Sequence, residues 1–331
     1  VVLPEVDGCR AVTHLQKDLK ELDPAYEPYL IYGSNDRTNS QTGLISRIPP
    51  ETPLWMSGKT FETPAGSNGN CSARMGAHGS DKHFVAELNV DGVQIFVIGV
   101  HLKSMRQDNK GEACSVREAE AKVLSDLLDE LFEKNPSAEV IVTGDFNDFD
   151  PETPDRKGAF SAAEGKTFPV REFEDCFRGK CRMKEDEGYG GQNSAVFDII
   201  KGHGPRPRLV NLLSKLPREQ RYSHEGSRHS GFPSTCGFGF SKDIPRDLSS
   251  IDCPSDGLLD HALATPGLVD AAITISILND FEEVYKGKKP KELGWAWPGG
   301  WSGNKLGKLR PKHESDHWPL FFQFDVSRLR K

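Results

Sequence analysis

Five times along this chain an apolar run of strand length meets a carboxylate, an amide or an imidazole at its end. Glu5 follows "VVLP", and His101 follows "IFVIGV". Asp145 and Asn147 follow "VIVTG", Asp260 stands beside "LL", and the pair Asp316–His317 precedes "PLFF". A lone case is an ordinary solvated strand end. Five in one chain form a pattern, because loops at one rim of a sheet converge in space. Four carboxylates, one amide and two imidazoles gathered there suit a hard divalent cation held through oxygen, with histidines left for proton transfer.

The elements between these points alternate in type. "DGCRAVTHLQKDLKEL" sets Val12, Leu15, Leu19 and Leu22 at helical spacing, and Pro24 ends the run. Short strands follow at "YLIY" and "TGLISR". "FVAELNV" and "VQIFVIGVHL", joined by Asp91–Gly92, read as a hairpin. "SVREAEAKVLSDLLDELFEKN" carries Val116, Ala119, Val123, Leu127 and Leu131 along one face and predicts a long helix. "AEVIVTGDFND" reads as a buried strand that stops at an acidic loop, and "LLDHALAT", "AITISIL" and "PLFFQFDV" supply the last strands. Residues 150–195 and 224–257 are Gly-rich and irregular. There is no repeat, no low-complexity tract and no clean linker, so the whole chain, 1–331, reads as one domain with two long loop insertions.

Length and composition fit that reading. The 331 residues suit one large α/β or β-sandwich unit, with 36% hydrophobic and 27% charged residues. A formal net charge of −7 speaks against a broad basic nucleic-acid surface, although a bound cation can supply positive charge locally. No apolar run approaches the roughly 18 residues that span a bilayer, which predicts a soluble chain. "VVLPEVDG" opens abruptly, as if a first strand, a signal peptide or both preceded it. The seven cysteines lack metal-finger spacing. Cys176 and Cys181 share a polar loop, and Cys236 and Cys253 flank another. They read as loop staples in a secreted or otherwise oxidising setting, against the alternative of reduced buried thiols.

The motifs "LPEVDG", "GLISR", "GVHLKS", "GDFND", "LLDHALAT" and "SDHWPL", in this order, resemble the endonuclease/exonuclease/phosphatase superfamily with its DNase I-like fold. The resemblance runs from Val1 to about Phe324, broken by the two long loops. It implies an α+β fold, a four-layer α/β/β/α sandwich in which two mixed β-sheets pack face to face between helices. It also implies a metal-dependent phosphoesterase using Mg2+, or Mn2+ or Ca2+, as one or two ions. By the same resemblance Glu5 and Asp316 are metal ligands, and Asp145 positions or deprotonates the attacking water. Asn147 fixes that aspartate and the phosphate, His317 faces the phosphate, Asp260 orients His317, and His101 is a second histidine acting as acid or phosphate contact. The family's first-strand Asn would lie upstream of Val1.

The chemistry agrees with such roles. A phosphodiester is anionic, so attack by water needs its oxygens neutralised and its leaving alkoxide stabilised, which a divalent cation does as a Lewis acid. An imidazole beside a carboxylate is oriented and made more basic. Lys82 stands near the position where the nuclease branch has a carboxylate partner for its first histidine, and could hold a phosphate oxygen. Asp81 is the alternative partner. Arg117, opening the long helix where the family often has an arginine, is a candidate substrate contact or else a packing residue, whereas Lys103 reads as structural. Trp295, Trp297 and Trp301 in "GWAWPGGW" could stack a base or sugar, or could simply pack under a loop.

Three functions follow. The chain is expected to be a secreted phosphodiesterase or nuclease-like enzyme acting on a phosphoester, with nucleic acid or a nucleotide as candidate substrates, as a monomer with no membrane span. The alternative is a phosphomonoesterase releasing phosphate from small esters. The third is a non-catalytic binding module on the same fold, against which the complete set Glu5, Asp145, Asn147, Asp260, Asp316 and His317 argues.

Overall fold

The computed structural model describes residues 1–6, 8–32, 41–63, 76–104, 112–153, 194–217, 220–221, 223, 258–277 and 320–330, apart from the side chains of Glu5 and of 112–114. In chain order the elements are β1 (Val2–Val6), α1 (Gly8–Leu22), β2 (Glu27–Ile31), β3 (Gln41–Ser46), β4 (Thr60–Glu62), β5 (Ala77–Gly79), β6 (His83–Val90) and β7 (Val93–His101). They continue with α2 (Glu112–Lys134), β8 (Glu139–Asp145), α3 (Val196–Lys201), β9 (Val210–Asn211), β10 (Asp260–Ala264), α4 (Pro266–Ala271), β11 (Ala272–Ile277) and β12 (Leu320–Phe324).

The central sheet has five strands in the order β6-β7-β8-β10-β9. Only β7 and β8 run parallel, so the sheet is mixed. Its connections follow from the sequence. Asp91 and Gly92 both take positive φ, 52° and 86°, as the tight two-residue turn between β6 and β7 requires. The parallel step from β7 to β8 needs a crossover, and α2 provides it.

Alternation along the strands then separates two cores. Val85, Phe96, Ile98, Val100, Val140, Val142 and Leu263 point to one face, where α2 and α3 cover them. Phe84, Ala86 and Leu88 point to the other, against the three-stranded sheet β1-β3-β2. Ile95, Ile141, Ala262 and Ala264 share that second face and meet the β11–β12 pair and α4. On the outside of the three-stranded sheet, Val12 of α1 lies against the Gly43 position of β3. The layers therefore run α2 and α3, five-stranded sheet, smaller sheets, α1: the four-layer α/β/β/α sandwich. Among the described residues the three-stranded sheet is antiparallel throughout.

Helix faces behave differently in the two outer layers. On α2 the predicted stripe Val116, Ala119, Val123, Leu127 and Leu131 is buried, and so are Ala121, Leu124, Leu128 and Phe132. The second set joins the core shared by α2, α3 and the five-stranded sheet, and β4 and β5 pack on α2 as well, so more than one stripe is buried. On α1 the expected stripe does not hold. Val12 and Gln16 are buried, while Leu15 is 37% and Leu22 81% exposed. Gln16 lies inward because its amide donates to the Tyr26 carbonyl and to Glu27. Among the described residues no helix is long and apolar enough to cross a membrane.

Candidate functional site

Three polar residues end three neighbouring strands in register. His101 of β7 is paired with Asp145 of β8, and Asp145 with Asp260 of β10. Directly paired residues point to the same face, so the three side chains stand in a row across strands about 4.8 Å apart. That face is the one carrying Ile95, Ile141 and Ala262 at the same parity, and Val97 on it shares a cluster with Val2 of β1, which packs on β7 and β8. Asp145 and Asp260 are both buried.

The local sequence dictates how Asp145 is held. Gly144 has φ 138°, and a Cβ there would lie 2.1 Å from the Val100 carbonyl oxygen, so only glycine lets β8 approach β7 at this point. Past Asp145 the chain turns back on itself through Asn147, at φ 49°. Asparagine tolerates that left-handed conformation because its short side chain bonds locally. Its backbone N–H donates to Asp145 Oδ1 at 2.8 Å, and its amide Nδ2 donates to Asp145 Oδ2 at 2.8 Å and to the Leu102 carbonyl at 3.0 Å. Both Asp145 oxygens thus accept hydrogen bonds, which favours the carboxylate. His101 Nε2 lies 3.7 Å from Asp145 Oδ2, within ion-pair reach but too far for a hydrogen bond. Asp260 is fixed at its backbone, since the Ser223 hydroxyl accepts from the N–H groups of Leu259 and Asp260 at 3.2 and 2.9 Å.

Lys82, ahead of β6, sits beside the same rim, and its carbonyl accepts the His101 N–H at 2.8 Å. Of its two readings, Arg117 holds the position of a packing residue. It is fully buried, its Nε donates to Asp148 at 2.9 Å, and its Nη1 donates to the Lys103 carbonyl at 3.2 Å. A guanidinium closed in this way braces the loop after β8 from behind. Its neighbour Glu120 accepts from the Lys103 N–H at 2.7 Å, and burial pushes its carboxyl up to about 7.

Glu5 belongs to β1, which packs against β7 and β8, but its side chain lies outside the described residues. So do Asp316, His317, the tryptophans Trp295, Trp297 and Trp301, and the side chains of every cysteine but Cys9. Cys9 is an exposed free thiol 2.9 Å from the Tyr32 hydroxyl. Oxygen-rich donors at the rim fit a hard divalent cation by chemistry. Among the described residues no three His, Cys, Asp or Glu side chains converge on one point.

Sequence reasoning missed a buried polar web behind the rim. Asp148 accepts from Arg117, from the Ser194 hydroxyl at 2.6 Å and from the Phe149 N–H at 2.8 Å. Asp150 accepts from Lys201 Nζ at 2.6 Å and from Asn211 Nδ2 at 2.9 Å. Burial pulls the Asp150 carboxyl up, but Lys201 and its other polar neighbours, the Asn211 amide among them, together outweigh it and hold the group below its usual range. Alternating acids in "GDFNDFD" were a faint signal, but the partners lie roughly 30 to 60 residues away and leave no local trace.

No family model matches the chain, and no curated protein matches it. Solved structures do resemble it. An AP endonuclease from Archaeoglobus fulgidus is 17% identical, with 98% of this chain and 87% of that chain covered and a TM-score of 0.46. A humanized D. rerio TDP2 is 14% identical over 98% of this chain and 84% of that one, with a TM-score of 0.43. The 3'-5' exonuclease NExo from Neisseria meningitidis is 16% identical over 94% and 83%, with a TM-score of 0.44. At these identities and scores none of them carries a residue role to this chain.

Proposed function

We propose that this chain is a divalent-metal-dependent phosphoester hydrolase of the endonuclease/exonuclease/phosphatase superfamily, acting on phosphodiesters in a secreted or otherwise oxidising setting. The observation that carries the reading is the in-register row His101, Asp145 and Asp260, with the Asn147 amide pinned across Asp145. A carboxylate held in one orientation suits a group that positions water for attack, and an imidazole within ion-pair reach suits proton transfer or charge on a phosphate oxygen. Glu5 and Asp316 would hold Mg2+ or a similar ion. When bound, that ion supplies Lewis-acid neutralisation of the phosphate oxygens. His317, oriented by Asp260, would face the phosphate from the other side.

The test compares hydrolysis of bis-p-nitrophenyl phosphate and p-nitrophenyl phosphate with Mg2+ or with EDTA. Wild type hydrolyses the diester faster, EDTA stops it, and His317→Ala loses roughly 100-fold in kcat. Hydrolysis that ignores EDTA, or a His317→Ala protein as active as wild type, sinks the reading. Faster monoester hydrolysis moves the assignment to a phosphomonoesterase.

A further inference from the structure

On β10 the residue after Asp260 points the opposite way, into the core under α3. His261 is fully buried, with the rings of Phe146 and Phe197 edge-on to its own at centroid distances of 5.6 and 4.6 Å. Its hydrogen bonds define one tautomer. Nε2 lies 2.9 Å from the Leu258 carbonyl oxygen and 3.1 Å from the Asp148 carbonyl oxygen. Both are acceptors, so Nε2 carries the hydrogen and shares it. Nδ1 lies 3.0 Å from Asn211 Nδ2, which donates one hydrogen to the ring and the other to Asp150. A donor opposite Nδ1 requires that nitrogen to be bare, so the ring is neutral.

These contacts join two segments that ladder pairing leaves separate. Regular pairing of β8 with β10 stops at Asp145 and Asp260, and the Phe146 N–H donates once more, to the Leu259 carbonyl at 3.0 Å. Beyond that point the left-handed turn at Asn147 carries the loop away from the ladder. His261 ties it back through the Asp148 carbonyl while holding the carbonyl of Leu258, just ahead of β10. One ring therefore sets the distance between the segment bearing Asp145 and Asn147 and the segment bearing Asp260.

We propose that His261 is a positioning residue for the candidate active site, its Nε2–H clamping the loop after Asp145 to the start of β10. The inference rests on the reading of that rim as catalytic. It distinguishes the two ring nitrogens: the clamp is at Nε2, and Nδ1 serves only to fix the tautomer through Asn211.

Two amide substitutions separate the nitrogens. Glutamine carries an N–H as many bonds from the backbone as Nε2, and asparagine carries its amide at the level of Nδ1. With bis-p-nitrophenyl phosphate and Mg2+, His261→Asn is expected to lower kcat about tenfold or more with KM within about twofold, and His261→Gln to recover most of the loss. The Asn147 amide, which donates to Asp145, exchanges with solvent faster in His261→Asn and near the wild-type rate in His261→Gln. Equal kcat and equal exchange in the two variants overturn the proposal. Exchange needs no substrate, so an inactive wild type with the expected exchange pattern defeats the catalytic reading and leaves the clamp standing. Should neither variant fold, nitrogen-15 spectra of wild-type His261 decide: a protonated Nε2 and bare Nδ1 support the clamp, and the reverse tautomer overturns it.

Discussion

The two ends of the five-stranded sheet handle polar groups in opposite ways. At the β6–β7 turn, polar side chains lie at or near the surface and bond to each other in a chain from Asn135 to Gln94 to Glu87. They line an open cleft of about 440 Å³ with Trp55, Phe96 and Leu131. At the other end the polar groups are sealed in. Arg117, Asp148 and His261 are each 0% exposed, and Lys201 is 2% exposed. The strands are the same, so the difference lies in what the protein asks of each end. Water can replace a lost partner at the turn, whereas behind the rim nothing can. Buried charge of that kind is dear unless paired, and its pairing holds one loop geometry.

The largest break of this contrast comes from Asp148→Ala. It strands Arg117 in the interior, and unfolding free energy in urea is expected to fall by about 3–5 kcal/mol. Gln94→Ala, which cuts the chain at the turn, is expected to lower it by about 1 kcal/mol or less. Similar losses in the two variants would erase the distinction between the ends.

A smaller effect, carried by groups at the rim end, is read by pH. Burial pulls His261 and His83 down from the usual histidine value to about 4. His83 accepts the Ser57 N–H at Nε2 and donates from Nδ1 to the Ser80 carbonyl, so it too is neutral in the fold. As pH falls below about 6.5 the unfolded chain takes up these protons first, and each histidine's share of stability is lost down to about 4. Glu120 has the opposite sign. Its raised value means the folded state holds the proton longer, so its contribution is full below about 4.5 and is lost as pH rises through about 7. Two histidines outweigh one glutamate, so stability falls between pH 6.5 and 4. Glu120→Gln removes the opposing share and should steepen that fall in a series of urea midpoints. An unchanged slope would contradict the burial assigned to Glu120.

Much of the fold was legible because its signals are local. Asp91–Gly92 between two apolar runs specifies a hairpin, and the stripe from Val116 to Leu131 specifies a helix. The row His101, Asp145 and Asp260 was legible for the same reason, since His101 and Asp145 each end a run that reads as a strand by itself and Asp260 stands near the start of another. Leu15 and Leu22 of α1 misled, because hydrophobic spacing marks a face without saying how far the sheet beneath extends. Arg117 stood open between substrate contact and packing for a related reason: which way the guanidinium points depends on Asp148, 31 positions later. His261 stood in plain view in "LLDHALAT", yet its meaning depends on Asn211 and the Asp148 carbonyl, which no spacing rule connects.

The central claim is that the rim row acts as one reactive unit, and Asp145 is its hub. Hydrolysis of bis-p-nitrophenyl phosphate at saturating Mg2+ by Asp145→Asn, with thermal melting recorded alongside, tests it most directly. The account predicts a folded protein whose kcat has dropped about 100-fold or more. A variant that melts like wild type and keeps kcat within about twofold would contradict it.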